Sequence, residues 1–304
     1  MWFKNLQLYR LATPFELSAD QLAERLGQHP FRPCGNLDAS SRGWIPPTGG
    51  EGGPLVRRVG GRLMMALRTE DKLLPASVVR RVVAERVAEL EQQHGSKPGG
   101  KRKREIRDQV IDELLPRAFT RLRTAFAYID PAAGWLMVDA ATPKRAEEMT
   151  ALLLTDVDGL QLRPPGVNES PAVLMTEWLN SGEAPAGFTL DTECELASPE
   201  DGGAVVRCSR QNLEADEIRM HVTAGKRAVK LAMTWADRIS FVLTEQLDIK
   251  RLGFLDILQE EAADSGGDGG EEQFDADFAI VGGELARFIP ALLDALGGEA
   301  AEPV

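Results

Sequence analysis

Seven cationic side chains fall between Gly203 and Arg238: Arg207, Arg210, Arg219, Lys226, Arg227, Lys230 and Arg238. Four acidic residues oppose them, in a chain of 304 residues whose formal net charge is -12. A second group, Lys97, Lys101, Arg102, Lys103, Arg104 and Arg107, faces only Glu105. Guanidinium and ammonium groups gathered on an acidic molecule do one thing well: they receive an anion, and the commonest polyanion is nucleic acid. The same residues also suit a solvated face paired with local carboxylates, or a polar loop. At a pI of about 4.9, indiscriminate adhesion to nucleic acid is not expected, so any DNA contact requires the cations to be segregated.

Residues for covalent or metal chemistry are sparse. His29, His94 and His221 lack partners at ligand spacing, and no HExxH, CxxC or nucleophile elbow is present. Thr223-Ala224-Gly225-Lys226 resembles the end of a phosphate-binding loop, but Met220 stands where the earlier glycine is required. Asp256–Asp277 holds nine acidic residues and no basic one, around Gly266–Gly270. Its middle is read as a mobile loop, with metal binding of the nuclease kind as the weaker alternative. No enzyme activity and no cofactor are expected. Cys34, Cys194 and Cys208 are scattered and odd in number, which fits reduced thiols in a core. No apolar run reaches the roughly 20 residues of a membrane span, and the N-terminus lacks the pattern of a signal peptide. A cytoplasmic protein is expected.

The elements that must position these cations follow from periodicity. Residues 2–11 read as a strand, and Ser18 with Gln21 as a capping box opening a short helix to Gly27. Residues 30–53 read as turns, and Arg62–Thr69 as a strand. The valine stripe of Val78–Gln93 and the apolar positions of Arg104–Leu115 predict two helices joined by a polar turn, a hairpin able to project as an arm. Strands are predicted at Thr120–Asp130, Trp135–Ala140, Phe188–Leu196, Ala204–Asn212, Arg227–Trp235, Arg238–Leu243 and Ile249–Phe254. Helices are predicted at Pro143–Leu154, Ser170–Asn180, Glu214–Val222 and Phe274–Leu296. Leu122, Phe126 and Tyr128 are assigned to one face of their strand. The fold class is α+β, with mixed helices and mainly antiparallel sheets. The expected divisions are a central domain of 1–75 and 119–165, a hairpin tip of 76–118 and a base of 166–304.

Several segments in register carry a likeness. WFKNLQLYRL, FRPCGNLD, KLLPASVV, LLPRAF, MTEWLNSG, Arg210-Gln211-Asn212-Leu213, AGKRAVKLAMTW and FDADFAIVGGELARFIPALLDALGGE together resemble the bacterial RdgC family, over nearly the whole chain. The resemblance implies a non-enzymatic, sequence-independent binder of double-stranded DNA. It implies a ring-shaped homodimer around the duplex, nucleoid association, and a role in replication and recombination that restrains the RecA recombinase. It implicates Arg210 and Gln211 in DNA contact, with lysine at the place of Arg210 in relatives, and Phe119 in one dimer contact. The cations expected to meet phosphates are Arg207, Arg210, Lys226, Arg227 and Lys230, together with Lys97, Lys101, Arg102 and Lys103 of the hairpin turn. An opposing reading is a protein–protein module acting directly on a recombination or replication protein.

Overall fold

A computed structural model describes residues 2–50, 52–200, 202–265 and 270–300. It divides into two units. The first comprises Met1–Leu26, Pro46–Met65 and Ala125–Val304, and the second Gly27–Ile45 and Ala66–Thr124.

In the first unit, five strands form an antiparallel sheet in the order β12-β11-β10-β8-β9. These are β8 (Phe188–Ala197), β9 (Val205–Ser209), β10 (Arg227–Trp235), β11 (Ile239–Thr244) and β12 (Ile249–Phe254). Residues of β10 such as Leu231 and Met233 are buried, as are Cys194 and Leu196 of β8. Two residues at positive φ, Ala236 and Asp237, close the β10–β11 hairpin. They are the central residues of a turn in which the Arg238 amide donates to the Trp235 carbonyl at 2.9 Å, inside a three-residue connection between the paired Trp235 and Ile239.

Helix α8 (Gly270–Ala295) supplies the apolar stripe for this core, with Phe278, Val281, Leu285, Phe288, Ile289 and Leu292 all buried. Phe288 meets Phe241 edge-on at 4.9 Å between centroids. The other helices of the unit are α1 (Ala19–Leu26), α4 (Pro143–Asp156), α5 (Pro171–Ser181), α6 (Asp216–Thr223) and α7 (Asp256–Ser265). The capping box forms as predicted: the Ser18 amide donates to Gln21 Oε1 at 2.9 Å and the Gln21 amide to Ser18 Oγ at 3.2 Å. The acidic stretch opens with helix α7. The middle of the expected mobile loop, residues 266–269, lies outside the described residues.

A second, seven-stranded sheet has the order β2-β4-β5-β6-β1-β7, with β3 on β4. Its strands are β1 (Gln7–Leu11), β2 (Ser40–Ile45), β3 (Val56–Val59), β4 (Arg62–Leu73), β5 (Phe119–Asp130), β6 (Trp135–Val138) and β7 (Leu162–Arg163). The chain passes between the units inside β4 and β5. The turn-rich reading of 30–53 missed β2. Gly43 is central to that strand because a Cβ there would sit 2.4 Å from the Phe31 backbone, a close approach only glycine permits.

In the second unit, α2 (Ala76–His94) and α3 (Gly100–Leu114) form the predicted helical hairpin. Val79, Ile106 and Val110 are buried between them, with Val83, Val87 and Leu90 packed alongside. An Arg86–Glu113 ion pair ties the two helices. Leu122 is 58% exposed, whereas Tyr128, on the same strand, is fully buried. No helix of the described residues is long and apolar enough to cross a membrane.

Arg238 proves to be a structural cation. Its guanidinium donates to both oxygens of Glu284 (3.1 and 3.0 Å) and to Glu261, while Arg287 pairs with the same Glu284. Glu284 is 3% exposed. Removing its carboxylate strands Arg238 without its buried partner. Glu284→Ala is therefore expected to cost about 3 kcal/mol of folding stability. Denaturant unfolding at fixed protein concentration measures it, and a loss below about 1 kcal/mol would place the pair among surface bridges.

Candidate nucleic-acid interface

Positive charge on the five-stranded sheet is arranged by register. Lys230 of β10 and Arg207 of β9 both pair across β8 with Glu195. Arg207 Nε lies 2.9 Å and Lys230 Nζ 3.0 Å from the same Glu195 oxygen. Burial acts to raise the Glu195 carboxyl, and hydrogen bonds from Arg207 and Lys230 outweigh it, holding the group below its ordinary value. One carboxylate thus serves two cations, which leaves a net positive charge on that rung.

Arg227 pairs with Ala197, two residues along β8 from Glu195, although Arg227 and Lys230 are three apart. A register shift between Ala228 and Lys230 absorbs the extra residue. Without that bulge the side-chain alternation of a strand would send the two cations to opposite faces.

Arg210 lies just past β9. The Gln211 amide donates to the Thr192 carbonyl at 3.1 Å, while Arg210 itself holds φ at 56°. A side-chain-bearing residue in the left-handed region costs roughly 1 kcal/mol or more and is found where the backbone must re-aim a side chain. Arg210 is exposed and Gln211 half-buried. Among the described residues, no ion pair engages Arg210, Lys226 or Arg227.

Lys226 owes its place to the end of α6. The Gly225 amide donates to Val222 and the Lys226 amide to His221, with Gly225 at φ 90°. This paired closure needs a left-handed residue just beyond the helix, which is why glycine stands there. Arg219 is drawn instead to Asp216 on its own helix, at 3.4 Å.

A residue absent from the sequence reading joins this group. Arg251 of β12 also holds a positive φ, 50°, at a register shift opposite β11, and it pairs with Glu193. A basic residue inside a strand of otherwise ordinary pattern gives no sign of such a bulge. From the Arg227 rung to Arg210 the strip follows about five residues of β8, roughly 17 Å. B-DNA carries about ten charges over that axial length.

The hairpin cations belong to the second unit. Lys101, Arg102 and Lys103 occupy the first turn of α3, which contains no acidic residue. Cations there oppose the helix dipole, so the turn gains stability when an anion arrives. Arg102 pairs with Glu105 at 2.9 Å, and Lys97 lies 4.0 Å from Glu91. Among the described residues, no ion pair engages Lys101, Lys103, Arg104 or Arg107.

Phe119, at the start of β5, is 84% exposed, with Leu122 at 58% and Leu73 at 45% in the same unit. A groove of that unit is lined by Leu74, Val79, Val83, Val87, Ile111 and Leu115. Among the described residues, no group of three or more His, Cys, Asp or Glu is arranged to hold a metal ion.

Comparison with known proteins gives a consistent result. Residues 1–299 match the family model described as "Putative exonuclease, RdgC". The chain is 48% identical over 299 residues to the recombination-associated protein RdgC of Janthinobacterium sp. (strain Marseille), covering 98% of this chain and 99% of that one. It is 47% identical over 302 residues to the protein of the same name from Herminiimonas arsenicoxydans, covering 99% and 100%. A third such protein, from Dechloromonas aromatica (strain RCB), is 48% identical over 305 residues, covering 99% of each.

Proposed function

The chain belongs to the RdgC family, and from that premise we propose that it binds double-stranded DNA through the phosphate backbone, without reading sequence and without cutting. Two copies close a ring around the duplex, Phe119 contributing one of the contacts between them. The protein works in the cytoplasm on the nucleoid, where occupied DNA is less open to the RecA recombinase.

The observation that carries this reading is the strip of Arg227, Lys230, Arg207 and Arg210 along β8 and its neighbours, with Arg227 and Arg210 unpaired among the described residues. The hairpin cations Lys97, Lys101, Arg102 and Lys103 extend the same chemistry to the second unit. An acidic molecule repels DNA everywhere else, so the basic strip is the productive contact.

Phosphate binding releases counterions, which makes affinity fall with salt at a log–log slope of about -0.9 per contact. With about ten contacts in the dimer, affinity for duplexes of unrelated sequence is expected to drop by several orders of magnitude between ~50 and ~200 mM salt. A flat salt response would leave the protein–protein alternative standing, in which the strip is incidental. The description of the family model favours one second reading, a nuclease. Incubating end-labelled duplex with magnesium or manganese under the same conditions separates the two, since a binder leaves the strands at full length.

A further inference from the structure

The sheet register sets two of the three cysteines face to face: Cys194 of β8 is directly opposite Cys208 of β9. Directly opposed residues of antiparallel strands have Cα atoms ~4.5 or ~5.5 Å apart, depending on whether the rung is hydrogen-bonded. Both values fall within the ~4.4–6.8 Å that a disulfide spans. The Ser198 amide donates to Ala204 on the same ladder, and hydrogen-bonded rungs recur every second residue, which makes Cys194–Cys208 a rung of the wider kind.

Both thiols are free, and they line one cavity beside Ser209. Cys194 is 4% exposed and Cys208 half-buried on the outermost strand of the sheet, so only one is readily approached from solvent. We infer that Cys194 and Cys208 are a redox-active thiol pair, a modification site at which a hydroperoxide closes a reversible disulfide between β8 and β9.

The roles of the sulfurs follow from their surroundings. Burial, reinforced by Cys208, pushes the Cys194 thiol up to about 12, so it stays protonated and does not attack first. Cys208 attacks the peroxide: its sulfur gains one oxygen, the O–O bond breaks, and one water leaves. The Cys194 sulfur then attacks the Cys208 sulfenic acid. The S–S bond forms, the S–O bond breaks, and the departing hydroxide takes the Cys194 proton as a second water. Two thiols and one hydrogen peroxide thus give one disulfide and two waters. Exchange with a small dithiol reverses the step.

Disulfide closure is independent of DNA binding, and its test reads sulfur chemistry alone. In a Cys34→Ser variant only the pair remains. Native protein exposed to hydrogen peroxide, then unfolded and alkylated, is expected to leave neither thiol labelled. Peptide mapping should find 194 joined to 208 within one chain, and dithiothreitol should restore both thiols. The same disulfide raises the midpoint of thermal unfolding, an effect absent from Cys208→Ser. Should the variant fail to fold, mapping of the oxidised wild-type chain gives the same answer. Two thiols still labelled after oxidation, an irreversible gain of oxygen on Cys208, or linkage between separate chains would overturn the pair.

Discussion

Duplex binding is expected to fall by about a hundredfold or more at ~0.1 M salt when Arg210→Glu and Lys226→Glu are combined, with the dimer intact. Neither residue has an ion-pair partner among the described residues, so each is available to phosphate, unlike Arg207 and Lys230, which must share Glu195. In a homodimer the double reversal removes four attractive contacts and installs four repulsive ones. A hundredfold is about 2.7 kcal/mol, well within what four phosphate contacts supply. Fold should be unaffected: Arg210 is exposed just past β9, glutamate occupies the left-handed region no more awkwardly than arginine, and Lys226 follows Gly225 at a closed helix end. Milder Arg210→Ala and Lys226→Ala changes should flatten the salt slope by about 0.9 for each phosphate lost, equally for every duplex sequence. Fluorescence anisotropy over a salt series, with sizing of the free protein, measures both. Unchanged duplex affinity in the reversed variant would remove these two residues from the interface.

The residues behind this expectation were legible only in part. Strands β10 and β12 fall on the bounds their patterns predict, because apolar and β-branched runs bounded by turns leave little choice. The capping box was equally plain, since it depends on two side chains three residues apart. What periodicity conceals is the bulge. Arg227 and Lys230, three apart, read as opposite-facing, and only the inserted residue near Val229 aligns them. The left-handed backbones of Arg210 and Arg251 are invisible for the same reason: no glycine or asparagine marks them. Charge counting alone could not separate Arg238, locked to Glu284, from Arg227, which is exposed, because partners distant in sequence decide the matter. In the 30–53 region, glycine and proline are turn formers by propensity, and Gly43 belongs to a strand only because another backbone packs against it.

Phe119 carries the other large effect. A lone Phe at a helix–strand junction is ordinarily buried, yet this one is 84% exposed. The same unit offers a groove whose floor includes Val79, Val83, Val87 and Ile111, a seat for a phenyl ring, with Lys72, Arg80, Lys103 and Arg107 also lining it. A two-fold contact uses each residue twice, so one substitution removes two rings. At about 2 kcal/mol for each buried aromatic anchor, Phe119→Ala should weaken that contact by about 4 kcal/mol, roughly a thousandfold. Because Phe119 contributes little to its own fold, circular dichroism and the denaturation midpoint at dilute protein should stay as in the parent. Sedimentation equilibrium gives the dimer constant. If a second contact still holds the copies together, the opened ring should slip from covalently closed circular DNA in a high-salt wash that the parent survives. A variant that dimerises as tightly as the parent and is retained on closed circles as well would return Phe119 to the free surface.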